Sequence, residues 1–318
     1  MKKSVLVVAL ALGVSSAFAQ DLTSKKGEPM LPEANDWAIS MNADPIFQFV
    51  GNAFSGYTGK NTAPAVNWLN GNQTIVGKKF IDEKTAYRVL VRLGFTSQTF
   101  KNSILSDDQG TTPIVFPALP NMVVDKYKHT STNIAIGAGK EWRRGKTRLQ
   151  GFYGADVMIW MTSSKDKYTY GNAMTAVPAN ATQTSTPNST MWNDTTTSPN
   201  FGAVMGSGAT GSRTTQLKSG MTIGIGVRGF IGAEYFIFPK IAIGAEYGWG
   251  LGFQTTGKGS KSTEEQGIAN GVNQVAVREV KTEGQSKLGI DTDMNQGNIF
   301  GFKGSNTGSA SIKVTFHF

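Results

Sequence analysis

The 318-residue chain combines 38 glycines with 17% charged and 39% hydrophobic residues, a composition that favours a β-barrel over a helical or α/β protein. It has no cysteine, which excludes a disulfide framework and the lipid-bearing cysteine of a lipoprotein. The formal net charge is +9, but the lysines and arginines are dispersed along the chain. We therefore expect no nucleic-acid partner, and we expect an anionic lipid headgroup or a cell-surface polysaccharide as the counter-charge.

The amino terminus has the pattern of a secretory signal peptide. Lys2 and Lys3 precede an apolar run from Val5 to Val14, and Ala17-Phe18-Ala19 matches a cleavage site between Ala19 and Gln20. This predicts a signal peptide over residues 1–19 and a periplasmic segment over 20–36. No apolar run reaches the roughly 20 residues that a membrane-spanning helix needs, which excludes a helical membrane protein.

Alternating apolar and polar residues predict eight strands after the signal peptide. In "TAYRVLVRLGFTS", for example, Tyr87 and Val89 share one face, while Arg88 and Arg92 share the other. The predicted strands span about 37–50, 74–81, 85–99, 130–143, 147–161, 215–237, 240–257 and 307–318.

The connections between these strands alternate between short and long. Three short turns at 82–84, 144–146 and 238–240 fall on one side, and long loops at about 51–73, 100–129, 162–214 and 258–306 fall on the other. This polarity is typical of an outer-membrane barrel. Residues 37–318 are therefore predicted to form an all-β, closed antiparallel up-and-down transmembrane β-barrel of eight strands. The stretch "GVNQVAVREVKTEG" could extend the sheet beyond the membrane or add two strands to make ten.

The inward face of the predicted strands carries five acids and five bases, which form a neutral lumen charge network. Eight strands leave only enough room for side chains to fill the interior, so we expect these charges to pair and to plug the lumen. A narrow ion path is the alternative. A turn centred between Arg144 and Gly145 predicts that Glu141 faces Arg148. The network consists of Asp44, Arg88, Arg92, Glu141, Arg148, Asp156, Arg228, Glu234, Glu246 and Lys313.

Candidates for chemistry are few. His129, near Asp125 and Ser131, is the only histidine at the predicted external rim, while His317 is predicted to point inward. We expect His129 to be a solvated histidine, and we assign no catalytic residue, no cofactor and no metal site. A lipid-modifying enzyme that uses His129 at the rim remains the alternative.

The carboxyl terminus, "SIKVTFHF", alternates to the last residue, as expected of a barrel-closing strand. Together with the signal peptide and the amphipathic strands, it resembles small outer-membrane barrels of the OmpX and OmpA-transmembrane type. "EWRRGKTRLQGFYGAD" and "NADPIFQFVGNAF" are similar to uncharacterised outer-membrane barrel proteins of Bacteroidota. This resemblance implies an outer-membrane location, and it implies that Phe316 and Phe318 form a signal read by the barrel-assembly machinery.

A plugged barrel leaves the external loops as the expected site of function. The loop over 162–214 is rich in Thr, Ser, Asn and Pro and low in charge, which is typical of a surface segment ordered by a partner. We therefore expect a non-enzymatic structural or interaction protein that contacts outer-membrane lipids and a surface protein or polysaccharide through its loops. A transport channel for small solutes is the alternative.

Overall fold

A computed structural model describes residues 22–24, 26–43, 74–106, 118–119, 121–174, 212–270, 272–291 and 310–318. In these ranges the regular structure is all β and antiparallel. None of the residues described forms a helix that is long and apolar enough to cross a membrane. The strands are β1 (Trp37–Asn42), β2 (Ile75–Asp82), β3 (Thr85–Leu105), β4 (Met122–Arg144), β5 (Leu149–Thr169), β6 (Ser212–Lys218), β7 (Thr222–Phe238), β8 (Ile241–Thr256), β9 (Gly259–Ala269), β10 (Val272–Thr282), β11 (Gln285–Asp291) and β12 (Ala310–His317).

Eight of these strands form a ring. Strands β1 to β5 pair in order, β5 pairs with β7, and β7 pairs with β8. The last strand, β12, pairs with β8 on one side and with β1 on the other. Every strand of the ring therefore has two hydrogen-bonded neighbours, and the predicted count of eight strands is confirmed.

The ring has an apolar exposed face and a buried inner face, because successive side chains of a strand point to opposite sides. Each of its eight strands contributes an apolar side chain that is between 40% and 53% exposed. These are Ile39, Ile75, Val89, Ile136, Val157, Val227, Leu251 and Phe316. Their sequence neighbours point into the ring, where charged residues and small residues are buried.

Short turns join the strands at one end of the ring, as predicted, but one register differs. The turn between β4 and β5 spans residues 145–148, with Gly145 at a φ of 136° that favours glycine. The Thr147 hydroxyl accepts a hydrogen bond from the Leu149 amide at 3.3 Å. This longer turn places Glu141 opposite Gly154, so the predicted pairing of Glu141 with Arg148 is wrong.

At the opposite end the sheet continues beyond the ring, which places the strand ends farther along the chain than predicted. The expected loops over 100–129 and 162–214 contain the last residues of β3 and β5, the start of β4 and the first residues of β6. The predicted strand over 215–237 is divided into the rest of β6 and β7. The expected loop over 258–306 contains β9, β10 and β11. The outer parts of β3, β4 and β5 together with β6, β9 and β10 form a six-stranded sheet, called here the extension.

The extension settles one alternative left open by the sequence. The stretch "GVNQVAVREVKTEG" forms β10, which pairs with β9 beyond the ring instead of adding strands to it. The expected loop over 51–73 and the end of the first predicted strand, 44–50, lie outside the described residues. The ring described here has eight strands and not ten.

Residues before β1 cover the turn end of the ring. Met30 is 1% exposed and packs against Phe236 and Ala242, which belong to β7 and β8. The Lys240 amide donates a hydrogen bond to the Met30 carbonyl at 3.2 Å. The segment predicted to be periplasmic therefore contributes to the packing of this end.

Candidate functional site

The interior of the ring holds a network of buried ion pairs. Arg88 lies at its centre, with distances of 3.2 Å to Glu141, 3.6 Å to Asp156 and 3.1 Å to Glu246. Its guanidinium also stacks 3.8 Å from the centre of the Phe230 ring. These contacts surround a cation that is 1% exposed, so its charge is compensated on several sides.

Two groups of cations complete the network. Lys78 binds Glu141 and Glu234 at 3.0 and 2.9 Å, and Arg143 binds Glu234 at 2.7 Å. On the other side, Arg228 and Lys313 bind Glu246 at 2.6 and 2.8 Å. The carboxylates on β4, β5, β7 and β8 are thus joined to cations on β2, β3, β4, β7 and β12, which ties the ring together across its interior.

The structure places seven of the ten predicted network residues in this cluster. They are Arg88, Glu141, Asp156, Arg228, Glu234, Glu246 and Lys313. Arg92 is buried on the same face of β3. Arg148 is half-buried before β5, where its carbonyl accepts a hydrogen bond from the Phe236 amide at 2.9 Å. Asp44 lies outside the described residues.

Sequence reasoning missed two members of the network, Lys78 and Arg143. Lys78 adjoins Lys79, so alternation alone did not decide which of the two points inward. Pairing decides it, because Lys78 lies opposite Arg88, and both are buried. Arg143 was the last residue of the predicted strand 130–143 and was left out of the network, although alternation puts it on the same face as Glu141; β4 continues to Arg144.

Apolar layers cover the ion network on both sides along the axis of the ring. Toward the extension lies a buried cluster that includes Leu90, Met158 and Trp160. Toward the turns, the Phe80 and Phe236 rings lie 5.5 and 5.2 Å from the ring of His317, which points inward as predicted. The charges are therefore enclosed between two layers of packed side chains.

A polar cavity of about 410 Å³ lies where the ring meets the extension. Its lining consists of hydroxyl and amide side chains and includes Ser131, Asn133, Ser164, Thr222 and Gln254. Ser131 and Ser164 are direct partners across β4 and β5. The described residues of its lining include no charged side chain, in contrast to the ion network deeper in the ring.

His129 lies in the extension, and its carboxylate partner is not the neighbour along the chain. Its Nδ1 is 2.7 Å from Asp166 Oδ1, and the Tyr127 hydroxyl donates to the same oxygen at 2.7 Å. Asp125 instead accepts a hydrogen bond from the Gly171 amide at 2.7 Å. The hydrogen bonds found among the described residues join His129 to Asp166 and include none between His129 and Ser131.

Aromatic stacking surrounds this pair. The Tyr127 ring stacks on Tyr168 at 4.9 Å and on Phe100 at 5.8 Å. Burial raises the pKa of Tyr168 to about 12, and the pKa of Tyr127 is raised by burial and by its bond to Asp166. These phenols therefore stay neutral over the physiological range and act as hydrogen-bonded packing groups.

Arg213 organises the outer end of the extension. It is 4% exposed, binds Glu264 on β9 at 2.7 Å and donates to the Asn172 carbonyl at 2.8 Å. Its guanidinium lies 4.3 Å from the centre of the Tyr170 ring, and the Tyr170 hydroxyl donates to the Thr214 carbonyl. Tyr170, Arg213 and Glu264 line a cavity of about 450 Å³, and their contacts hold β5, β6 and β9 together.

The terminal aromatics lie at the turn end of the ring. Phe316 and Phe318 are 41% and 62% exposed, and Phe318 exchanges backbone hydrogen bonds with Trp37 at 2.8 and 2.9 Å. The last residue is therefore part of the seam between β12 and β1. Recognition of Phe316 and Phe318 by an assembly machinery stays a prediction. Cleavage between Ala19 and Gln20 also stays a prediction, since both residues lie outside the described residues.

No family model matches the chain, and no curated protein matches it. Among the described residues, no group of three His, Asp or Glu side chains could hold a metal ion.

Proposed function

We propose that this chain is a closed eight-stranded β-barrel of an outer membrane. In this proposal, it is a non-enzymatic structural or interaction protein: the ring anchors it, the interior is plugged, and the extension carries the surface that meets a partner. Export by a signal peptide is part of the same proposal.

The observation that carries the proposal is the inverted distribution of polarity in the ring. Large apolar side chains are exposed on all eight strands, whereas ion pairs and hydroxyls are buried inside. In water such an apolar girdle would be unfavourable, and soluble proteins rarely expose one that is continuous. In lipid it is favourable, and a ring pairs every backbone group that an open sheet would leave unsatisfied.

Strand length supports a location of the extension outside the membrane. On β3 the exposed apolar residues run from Tyr87 to Phe95, about the nine residues that a tilted strand needs to cross a bilayer. The same strand has 21 residues and ends at Leu105. Its outer part therefore projects beyond the apolar girdle, together with β4 and β5.

The packed interior favours an anchor over a channel. Conductance in planar bilayers tests this, because a plugged ring should give no discrete current steps in the intact protein. Single steps that disappear when Arg88 is replaced by Met would favour the alternative of a narrow pore. The same preparation should show heat-dependent gel mobility and a β-dominated circular dichroism spectrum.

Photo-crosslinking from defined positions tests the interaction role. A photoreactive residue at Val277 on β10, which is 73% exposed, should give adducts with a protein or polysaccharide in intact cells. The matched control is Leu93 in the girdle, which is 61% exposed and should give lipid adducts alone. Protein adducts at Leu93 and none at Val277 would move the partner into the membrane plane and overturn the assignment of the extension.

A further inference from the structure

The extension gathers dispersed lysines onto one face. Six exposed lysines occupy outward positions of β3 to β6, on the same side of the sheet as the apolar girdle. They are called here the lysine face: Lys101, Lys126, Lys128, Lys165, Lys167 and Lys218.

The register places these lysines opposite one another. Lys101 faces Lys126, Lys128 faces Lys167, and Lys165 faces Lys218. Like charges in direct cross-strand pairs destabilise a sheet, because their Cβ atoms are only about 5 Å apart. Three such pairs on one face concentrate positive charge that a negatively charged ligand would compensate.

On this face of β3 to β6 themselves, the described residues supply no such charge. The other outward positions of β3 to β6 beyond the girdle carry hydroxyl, amide and apolar side chains, and no Asp or Glu. None of the six lysines takes part in an ion pair with a described residue. The outward acids of the next two strands are Glu264 on β9, which binds Arg213 at 2.7 Å, and Glu279 on β10.

The height of the lysine face points to the membrane surface. The exposed apolar residues of β3 end at Phe95, and the register line through Phe95 passes Thr132 and Ser163. The lysines lie two, four or six positions farther along their strands, for example at Lys165, Lys167 and Lys101. With a rise of about 3.4 Å per residue, they lie about 7 to 20 Å farther along their strands than this line.

We propose that the lysine face binds the phosphate groups of anionic lipids in the leaflet that surrounds the barrel. This inference rests on the proposed function, since it requires the girdle to lie in a bilayer. Each lysine pair brackets one phosphate from two strands, and the lipid's acyl chains extend along the apolar girdle. An acidic polysaccharide in solution would have no reason to prefer the one face that continues into the girdle.

Binding of phosphatidic acid to the purified protein in neutral detergent tests the proposal. The test variant combines Lys128→Gln with Lys167→Gln. The matched control combines Lys261→Gln with Lys287→Gln, which removes the same charge from exposed positions on the other face of the sheet. The test variant should bind phosphatidic acid about tenfold or more weakly than the intact protein, because each lysine near the surface contributes substantially to attraction of anionic lipid. The control should bind as the intact protein does.

Three probes separate the source of the phosphate. Diacylglycerol with the same acyl chains should not bind at the lysine face, and inorganic phosphate and dextran sulfate should bind far more weakly than phosphatidic acid. Equal loss in both variants, equal affinity for diacylglycerol, or tighter binding of dextran sulfate or free phosphate would overturn the proposal. Heat-dependent gel mobility of each variant reports the barrel separately, so a folded protein without lipid binding contradicts only this inference.

Discussion

The two parts of the molecule use charge in opposite ways. Inside the ring, four carboxylates are buried and joined to five buried or partly buried cations by short ion pairs. On the outward face of β3 to β6 beyond the girdle, six lysines are exposed, lie opposite one another and have no described acid on this face of these strands. The first arrangement is compensated within the chain, and for the second we propose an anionic ligand.

This difference separates charged residues that serve packing inside the chain from charged residues available to bind a ligand. Burying a charged group costs desolvation energy, and attraction to the opposite charge largely offsets this cost. A buried ion pair therefore favours one arrangement of the strands and adds little net stability. An exposed cluster of one sign costs stability without any gain inside the chain. The ring interior is therefore explained by structure alone, whereas the lysine face is explained by the ligand binding proposed for it.

The largest expected effect comes from breaking the ion network at one carboxylate. Glu141→Gln leaves Lys78, Arg88 and Arg143 with less negative charge around them in a buried site. Removing one partner of buried ion pairs typically costs about 3–5 kcal/mol. Urea titration of the folded protein in lipid vesicles should show this loss in the free energy of unfolding.

Glu83→Gln is the matched control, since Glu83 is exposed in the turn between β2 and β3. It should change the free energy of unfolding by less than about 0.5 kcal/mol. If Glu141→Gln lowered the free energy of unfolding no more than this control, the interior charges would have to be hydrated. That result would contradict the packed layers around them.

A second, smaller effect tests how tightly the ring interior is filled. A Cβ at Gly154 would collide with the Lys140 carbonyl and the Phe230 ring, whereas one at Gly151 would meet the Arg144 carbonyl at an ordinary 3.7 Å. Gly154→Ala should therefore destabilise the barrel by about 1–3 kcal/mol. Gly151→Ala on the same strand should be close to neutral, and equal effects of the two changes in the same titration would contradict tight packing.

The sequence predicts the ring well and the extension poorly, for a physical reason. In the ring, one face is apolar and exposed while the other packs charged and small residues, so alternation shows where the strands lie and which way Arg88 or Glu246 points. In the extension, buried polar and aromatic residues such as Asn102 and Tyr127 occupy the inner face, and the alternation that marks Tyr87 to Phe95 disappears after Phe95. Strands β9 and β10 therefore could not be placed, although the alternation of β10 itself was visible, and β6 was merged with β7 in the predicted strand 215–237.

The pairing register between neighbouring strands is the other feature that the sequence did not determine. The pairing of Glu141 depends on the length of one turn, and the centre assigned to that turn was displaced. The lysine face depends on three registers at once, since its members are distant along the chain. No run of basic residues marks it, which is why composition alone suggested only a dispersed charge.

Within the extension, the inner face should tolerate change better than the ring. Asp166→Asn weakens the acceptor shared by Tyr127 and His129, each 2.7 Å from it. The expected loss is about 1–2 kcal/mol of local stability. Hydrogen exchange should show faster opening of the parts of β4 and β5 beyond the girdle, and unchanged protection of the ring. Glu279→Gln, at an exposed position, is the control and should leave both rates unchanged. Faster exchange throughout the ring would show that the two parts do not unfold separately.

The smallest expected effect is a dependence of the stability of the extension on pH. The pKa of Tyr168 is raised by burial from 10.0 to about 12, so the folded state holds its proton more tightly than the unfolded state does. The resulting stability is present below pH 10 and is lost as the pH rises through about 12. Hydrogen exchange of the extension at alkaline pH should show this loss, and Tyr168→Phe should remove its part of the dependence. A pH dependence unchanged by Tyr168→Phe would assign it to other groups.

Closure of the ring between its first and last strands is the claim on which both the anchor and the lysine face depend. The Ser40 and Thr315 hydroxyl oxygens lie 2.7 Å apart in directly paired positions of β1 and β12, and the chain has no cysteine of its own. A protein with Ser40→Cys and Thr315→Cys should therefore form one intramolecular disulfide after mild oxidation of isolated outer membranes, seen as a shift in gel mobility that reductant reverses. Ser40→Cys combined with Thr256→Cys should form none. Free thiols at both positions 40 and 315 in membrane-inserted, folded protein would contradict the closed barrel.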